Sequence, residues 1–301
     1  MARRGTQDLN LMQLMERYGS EDKCREVLEE LRWPDGVRCP RCESDKISRI
    51  HERDQFDCDS CRYQFSVTAG TIFHDSHLAL RKWFVAVYLV CESKKGISSN
   101  QLKRILGVTY KTAWYLTHRI RAAMGDGDAP MLKGIVEVDE TYIGGKARGR
   151  GRGYMGNKTM VVGAVQRGGN IRLRVGANNS ANVLHRFIRE TVHDDAEAIY
   201  TDQHQSYMGI HDGNTRHETV NHNLDEWVRA DVHTNTVESV WSLLKRSIVG
   251  SYHHLSTRHL PAYLDEMTFR FNNRDNPYLF RDTLLKLIHA DALTYSRLTV
   301  N

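Results

Sequence analysis

Gly134-Ile135-Val136-Glu137-Val138-Asp139-Glu140-Thr141-Tyr142-Ile143 is the stretch on which the fold turns. Its β-branched and aromatic residues read as a strand. The two-residue period of a strand puts Glu137 and Asp139 on one face and Glu140 on the other. Asp139 stands among Ile135, Val136 and Val138, where an unpaired carboxylate is costly unless a cation or a nearby Lys or Arg answers it.

Downstream, residues 160–166 and 171–175 read as further strands, 180–192 as a helix, 198–201 as a short buried strand, 219–221 as a weak one, and 236–249 as a helix. Three strands, a helix, two strands and a helix is an α/β order. Upstream, Gly125-Asp126-Gly127-Asp128-Ala129-Pro130 breaks a helical pattern, which marks a domain boundary.

The 301 residues suffice for about two domains. A net charge of +5 permits nucleic-acid binding without requiring it. The start of the chain is polar and reads as no secretory signal, and the longest apolar run, 83–91, is too short to span a bilayer. Six cysteines in that setting point to a reducing compartment, so a cytoplasmic protein with no membrane partner is expected.

Cys39-Pro40-Arg41-Cys42 and Cys58-Asp59-Ser60-Cys61 are two knuckles separated by fifteen residues. That spacing fits one structural Zn²⁺ held by Cys39, Cys42, Cys58 and Cys61, a closed shell with no place for substrate. Arg41, Lys46, Arg49, Arg53 and Arg62 then either face DNA or solvate the module. Cys24 lies with Val27, Leu28 and Leu31 on a helical apolar face, and Cys91 ends an apolar helix from Leu80; both read as core.

Ser98-Ser99-Asn100 caps a helix running to Leu106, Gly107-Val108-Thr109 turns the chain, and a second helix spans 110–124. This is helix-turn-helix-like, with Lys111, Tyr115, His118 and Arg119 on the side left for nucleic acid; many helical hairpins share the layout.

Asp202 ends the short strand after Ala198-Ile199-Tyr200-Thr201, where α/β sheets place ligand-binding groups, although a turn aspartate reads the same way. Glu238 is the third helical residue if Asn235 caps the helix, which makes it a capping-box glutamate as readily as a ligand. Lys245 follows Glu238 by seven residues on the same helical face. Asp139, Asp202 and Glu238 brought together can hold two divalent cations, which implies metal-dependent cutting or joining of nucleic acid. From Lys146 to Lys158 there are five basic residues and no acid; Lys146, Arg148, Arg150 and Arg152 directly follow the Asp139 strand and suit backbone phosphates. His204 and His222 lie near enough in sequence to approach the site, and His222 is the better candidate for facing DNA.

The ordered set resembles insertion-sequence transposases of the DDE type with an N-terminal zinc ribbon, the ISXO-like group. It consists of the two knuckles, Phe65-Ser66-Val67-Thr68-Ala69-Gly70-Thr71-Ile72-Phe73, Val138-Asp139-Glu140-Thr141-Tyr142-Ile143-Gly144-Gly145, Thr201-Asp202, His233-Thr234-Asn235-Thr236-Val237-Glu238-Ser239, Lys245, and Phe269-Arg270-Phe271-Asn272-Asn273-Arg274. The resemblance implies an RNase H-like catalytic core, a mixed sheet flanked by helices, with the triad Asp139, Asp202 and Glu238 and the accompanying Lys245. It implies two Mg²⁺ (or Mn²⁺) per site, cleavage of double-stranded DNA at element ends, strand transfer into target DNA, and a homo-oligomer on DNA. Residues 1–37 are expected to be an N-terminal helical segment, 38–72 the zinc ribbon, 73–128 the helix-turn-helix-like segment, 133–275 the catalytic domain and 276–301 a C-terminal helix. A nuclease or resolvase on the same core, or a non-catalytic DNA-binding regulator derived from a transposase, is the competing reading.

Overall fold

The computed structural model describes residues 9–125, 127, 129–145, 158–210, 215–220 and 231–300. Lys146, Arg148, Arg150, Arg152 and His222 lie outside the described residues. The chain divides into two units: one runs to Gly125 and resumes at Asp275, and the other lies between and ends at Arg274.

In the first unit, α1 (Leu11–Arg17) and α2 (Glu21–Arg32) precede a three-stranded antiparallel sheet of β1 (Ile47–Ile50), β2 (Gln55–Cys58) and β3 (Gln64–Phe65). Ser20 accepts from the Lys23 amide at 3.3 Å and starts α2 as its sequence signals. Three helices follow: α3 (Leu80–Glu92), α4 (Ser99–Leu106) and α5 (Tyr110–Met124). Ser98 and Thr109 cap α4 and α5, and Gly107 supplies the left-handed residue (φ 61°) that ends α4. The chain returns to this unit through α9 (Leu279–His289) and α10 (Tyr295–Thr299), and α9 packs on α2, α3 and α5. Cys24 and Cys91 are buried in this unit, as their helical faces require.

The second unit is built on a five-stranded sheet of order β6-β5-β4-β7-β8. The strands are β4 (Ile135–Ile143), β5 (Thr159–Gln166), β6 (Ile171–Gly176), β7 (Ala198–Asp202) and β8 (Arg216–Val220). β4, β5 and β6 are antiparallel neighbours, whereas β7 and β8 run parallel to β4, so the sheet is mixed. One face carries α6 (Ala181–Thr191): Val136, Val138, Val162 and Ala164 pack with Leu184, Phe187 and Ile188. The other carries α7 (Asn235–Ser247) and α8 (Leu260–Asn272): Val161 and Val165 pack with Val237, Trp241, Leu244 and Leu264. Helices on both faces explain why β5 is buried along nearly all its length instead of alternating. The mixed sheet flanked by helices is therefore present, with the Asp139 strand at its centre.

Candidate functional site: a carboxylate cluster beside a capped helix

β4 presents two chemistries to its two faces. Val136 and Val138 enter the α6 side, while Glu137 and Asp139 point toward α7. The indole Nε1 of Trp241 donates to Asp139 Oδ2 at 2.8 Å. That ring fits because Asp139 is paired in register with Gly163 of β5, which has no side chain to fill the space. A Cβ built on Gly163 would lie 2.5 Å from Trp241 Cη2 and 2.9 Å from Leu173 Cδ2. Gly163→Ala is accordingly expected to destabilise the protein by about 1–3 kcal/mol, because a stiff aromatic ring must move to admit the methyl. Chemical denaturation checks this, and an unchanged midpoint would show that the ring does not occupy that space.

β7 runs parallel to β4 with Val136 opposite Ile199 and Glu137 opposite Tyr200, so Asp202 sits at the strand's carboxyl end near the level of Asp139. Asp202 Oδ1 accepts from the His204 amide at 3.0 Å, the local turn its sequence allowed. Burial pushes the Asp139 carboxyl up to about 7 despite the Trp241 hydrogen bond, and the charges of Glu140 and Asp202 add to the rise. Glu140 is also raised, chiefly by burial, with the Tyr207 hydroxyl bond opposing and Asp202 reinforcing. Asp139, Glu140 and Asp202 therefore share one electrostatic environment, which disfavours several negative charges and favours a cation.

Glu238 is exposed in the first turn of α7, one turn before Trp241. The capping box drawn from the sequence is not what starts this helix. Thr234 is the N-cap, without a side-chain cap bond, and its hydroxyl lies 3.4 Å from Glu238 Oε1. The first-turn amides of Thr236 and Val237 instead donate to Oε2 of Glu137 at 2.8 and 3.0 Å. Lys245 is exposed in the last turn of the same helix. Among the described residues, the four knuckle cysteines are the group of three or more His, Cys, Asp or Glu whose ligand atoms converge as a metal shell requires. Asp139 and Asp202 lie on the neighbouring strands β4 and β7 and Glu238 on the adjoining helix, but their carboxylates do not converge to that degree. Mutual repulsion opposes it, and each is held by its own bond to Trp241, His204 or Thr234.

The cysteines do converge. Their sulfurs all lie within 4.8 Å of one another, with Cys39–Cys61 and Cys42–Cys58 both at 3.6 Å. Four thiolates at a zinc–sulfur distance of about 2.3 Å on a tetrahedron stand about 3.8 Å apart, so the set fits Zn²⁺. Each knuckle closes the same way: the Glu43 amide donates to Cys39 O and the Arg62 amide to Cys58 O, both from left-handed residues. Burial raises the Cys58 thiol, but amide donors from Cys61 and Ser60 outweigh it and hold the group at about 7.

The expected DNA face on α5 needs correction. Arg119 is 2 % exposed, its guanidinium donating to His74 O and lying 5.0 and 5.1 Å from the Trp83 and Tyr115 rings. Tyr115 donates to Leu293 O and His118 is buried. Arg119 therefore braces the unit from inside and presents no surface, while Tyr115 is half-buried with its hydroxyl committed to Leu293. Lys111 remains exposed, its ammonium 4.4 Å from the Tyr295 ring. In the ribbon, Arg49 pairs with Glu29 and Arg62 lies beside Asp57, while Arg41 stacks over Tyr63.

Residues 131–272 match the ISXO2-like transposase domain, and residues 19–64 match the transposase zinc-ribbon domain. An uncharacterized protein in transposable element ISH50 of Halobacterium salinarum is 32 % identical over 273 residues, covering 84 % of this chain and 91 % of that one. This chain belongs to the ISXO2-like transposase family. The transposase domain of this family thus contains the whole carboxylate cluster, and the zinc-ribbon domain contains all four cysteines. The pre-cleavage Mos1 transpososome is similar at 11 % identity and a TM-score of 0.25, covering 67 % of this chain and 77 % of that one. That likeness is too slight to build on. Among the described residues no helix is long and apolar enough to cross a membrane.

The sequence alone gives Glu137 no role. Its signal is present, an acid in phase with Asp139 on a strand otherwise apolar, but the helix start that uses it lies about a hundred residues away.

Proposed function

We propose that this transposase cuts double-stranded DNA at the ends of its element and joins the freed ends to target DNA, using Asp139, Asp202 and Glu238 as cation ligands. The observation that carries the reading is placement: Asp139 on β4 lies beside the carboxyl end of β7, which bears Asp202, and its Oδ2 accepts from Trp241 of α7, the helix that bears Glu238. A half-buried acid with acidic neighbours gains most from a bound cation. The donor set is all oxygen, which suits Mg²⁺ or Mn²⁺. Two such ions, when bound, supply activation of the attacking oxygen and stabilisation of the leaving one.

The chain's own residues have the remaining work. Asp139, held by Trp241, and Asp202, at the end of β7, fix the ligand oxygens on a rigid sheet. Glu238 contributes from α7, and Lys245, two turns on, holds a phosphate of the bound strand. In the first step water attacks phosphorus and the bond to the 3′-oxygen breaks, leaving a 3′-hydroxyl. In the second that hydroxyl attacks a target phosphodiester, whose own 3′-oxygen leaves. No covalent bond to protein forms. The zinc ribbon (38–72) and the segment 73–128 bind the element ends, with Lys111 of α5 among the exposed cations. Lys146, Arg148, Arg150, Arg152 and His222 contact the DNA backbone near the catalytic domain (133–275). Joining two ends requires more than one copy, so the active form is a homo-oligomer on DNA, acting in the cytoplasm.

A duplex carrying the element's terminal sequences and their flanks tests this in Mg²⁺ or Mn²⁺. Strand breaks at the element boundaries and joined products are expected. Cleavage without end preference would point to a general nuclease, and binding without cleavage in either metal would point to a regulator.

A further inference from the structure

The Glu137 carboxylate is 0 % exposed, yet both of its oxygens are fully engaged. Oε2 accepts from the Thr236 and Val237 amides; Oε1 accepts from Thr236 Oγ1 at 2.8 Å and from Arg167 Nε at 2.7 Å. Arg167 extends the clamp, donating through its other two nitrogens to Asp231 O at 2.8 Å and His233 O at 3.0 Å. It also lies over the Tyr200 ring, 4.9 Å from its centroid, on the neighbouring strand β7. A carboxylate buried this deeply is tolerated only because every part of it is answered. The start of α7, which lacks a side-chain cap of its own, takes its anion from β4 instead.

The covalent levers on either side are short. Glu137 is two residues from Asp139 on the same strand face, about 7 Å along the strand. Val237, whose amide is clamped, immediately precedes Glu238. The clamp therefore joins the strand that carries one proposed ligand to the helix that carries another, close to both. The Asp139–Trp241 bond is a second rung between the same two elements, one turn further along.

We infer that Glu137 and Arg167 are positioning residues that set the spacing between Glu238 and Asp139 so that both can reach the same cations. This rests on the proposed roles of Asp139 and Glu238. It predicts that weakening the clamp loosens cation binding more than it lowers the folded fraction. A ligand displaced by a fraction of an ångström still binds when metal is in excess, whereas an unfolded one does not.

The test uses the full chain with zinc in place and Mn²⁺ as the probe. Binding is followed by the paramagnetic resonance signal of free Mn²⁺, and element-end cleavage is measured over a Mn²⁺ titration. Glu137→Gln, which keeps the shape and removes the charge, is expected to raise the half-saturating Mn²⁺ concentration about 10- to 100-fold, the range for groups that orient metal ligands. Cleavage should recover substantially at excess Mn²⁺. Arg167→Lys and Thr236→Val, each removing only part of the clamp, should shift the midpoint in the same direction by less, and they serve if Glu137→Gln does not fold. Asp139→Asn is the reference and should lose Mn²⁺ binding altogether. If Asp139→Asn loses binding while the folded clamp variants keep the wild-type midpoint, the inference is overturned and the cation site stands. It is overturned equally if those variants lose rate in proportion to folded protein with no shift in midpoint. If Asp139→Asn binds Mn²⁺ as wild type does, the cation site itself is overturned.

Discussion

Asp139→Asn should lower cation-dependent cleavage of element ends by roughly a thousand-fold or more while leaving DNA affinity within about two-fold, since a ligand to the reacting centre is lost and no phosphate contact is. The same substitution should stabilise the metal-free protein at pH 8. The Asp139 carboxyl is raised from 3.8 to about 7 in the folded chain. A raised acid binds its proton more tightly when folded, so its contribution is fully present below about pH 4 and is lost as pH rises through about 7. At pH 8 the wild-type chain must hold an ionised carboxylate in a poorly hydrated site beside Glu140 and Asp202. Removing that charge should gain up to about 4 kcal/mol, and sharing of the shift among these coupled neighbours brings the realised gain nearer half that. The substituted amide keeps an oxygen for the Trp241 indole. Thermal melting in buffers stripped of free divalent ions, with the ribbon zinc retained, should show the variant above wild type at pH 8 and the gap closing toward pH 4. Mg²⁺ should raise the wild-type midpoint and leave the variant unmoved. Wild-type cleavage by Asp139→Asn would remove this residue from the catalytic set.

Local pattern and distant contact divide what the sequence makes legible in this molecule from what it does not. Strand β4 was readable because its period is local, and the boundaries of β5, β6 and α6 fall within a residue or so of those read from pattern. The pattern at 219–221 starts β8 later than the structure does: Arg216, His217 and Glu218 are polar enough at a sheet edge to look like loop, and only pairing with β7 makes them strand. The zinc knuckles were legible because spacing alone constrains a tetrahedral shell. Two things were not. The cap of α7 comes from Glu137, and no local rule connects residue 137 to residues 236 and 237. The burial of Arg119 against His74 and Trp83, and the bond from Tyr115 to Leu293, join α5 to segments that an isolated helical hairpin does not contain. In each case the missing information was a contact between distant segments, decided by tertiary packing.

Cys58→Ser should unfold the ribbon selectively. The sheet it supports is small: β1 and β2 are four residues each and β3 is two. Its apolar cluster is Phe56, Phe65 and Ala69 with the flanking Trp33, Ile47 and Tyr63, too little to fold a segment of this length unaided. Zn²⁺ bound by four thiolates contributes roughly 10–16 kcal/mol in comparable small modules, more than such a cluster supplies. Cys58 is also the thiol held at about 7, so it is poised to ligate at neutral pH, and serine offers neither the softness nor the charge. The strained knuckles point the same way: Glu43 and Arg62 sit in left-handed backbone without being glycine, at φ 60° and 56°, which a metal cross-link can enforce. Ties from α2 do not depend on zinc: the Arg32 guanidinium donates to Val67 O and to Ala69 O at 2.8 Å, and Glu29 pairs with Arg49, so α2 should stay attached to the segment after β3 while the knuckles open. Bound zinc should fall from one per chain to near zero. Amide hydrogen exchange across 39–65 should rise by orders of magnitude, while β4 and β5 stay protected, and binding to element ends should be lost. Protection of 39–65 unchanged after zinc removal would show that its aromatic cluster holds the ribbon without the metal.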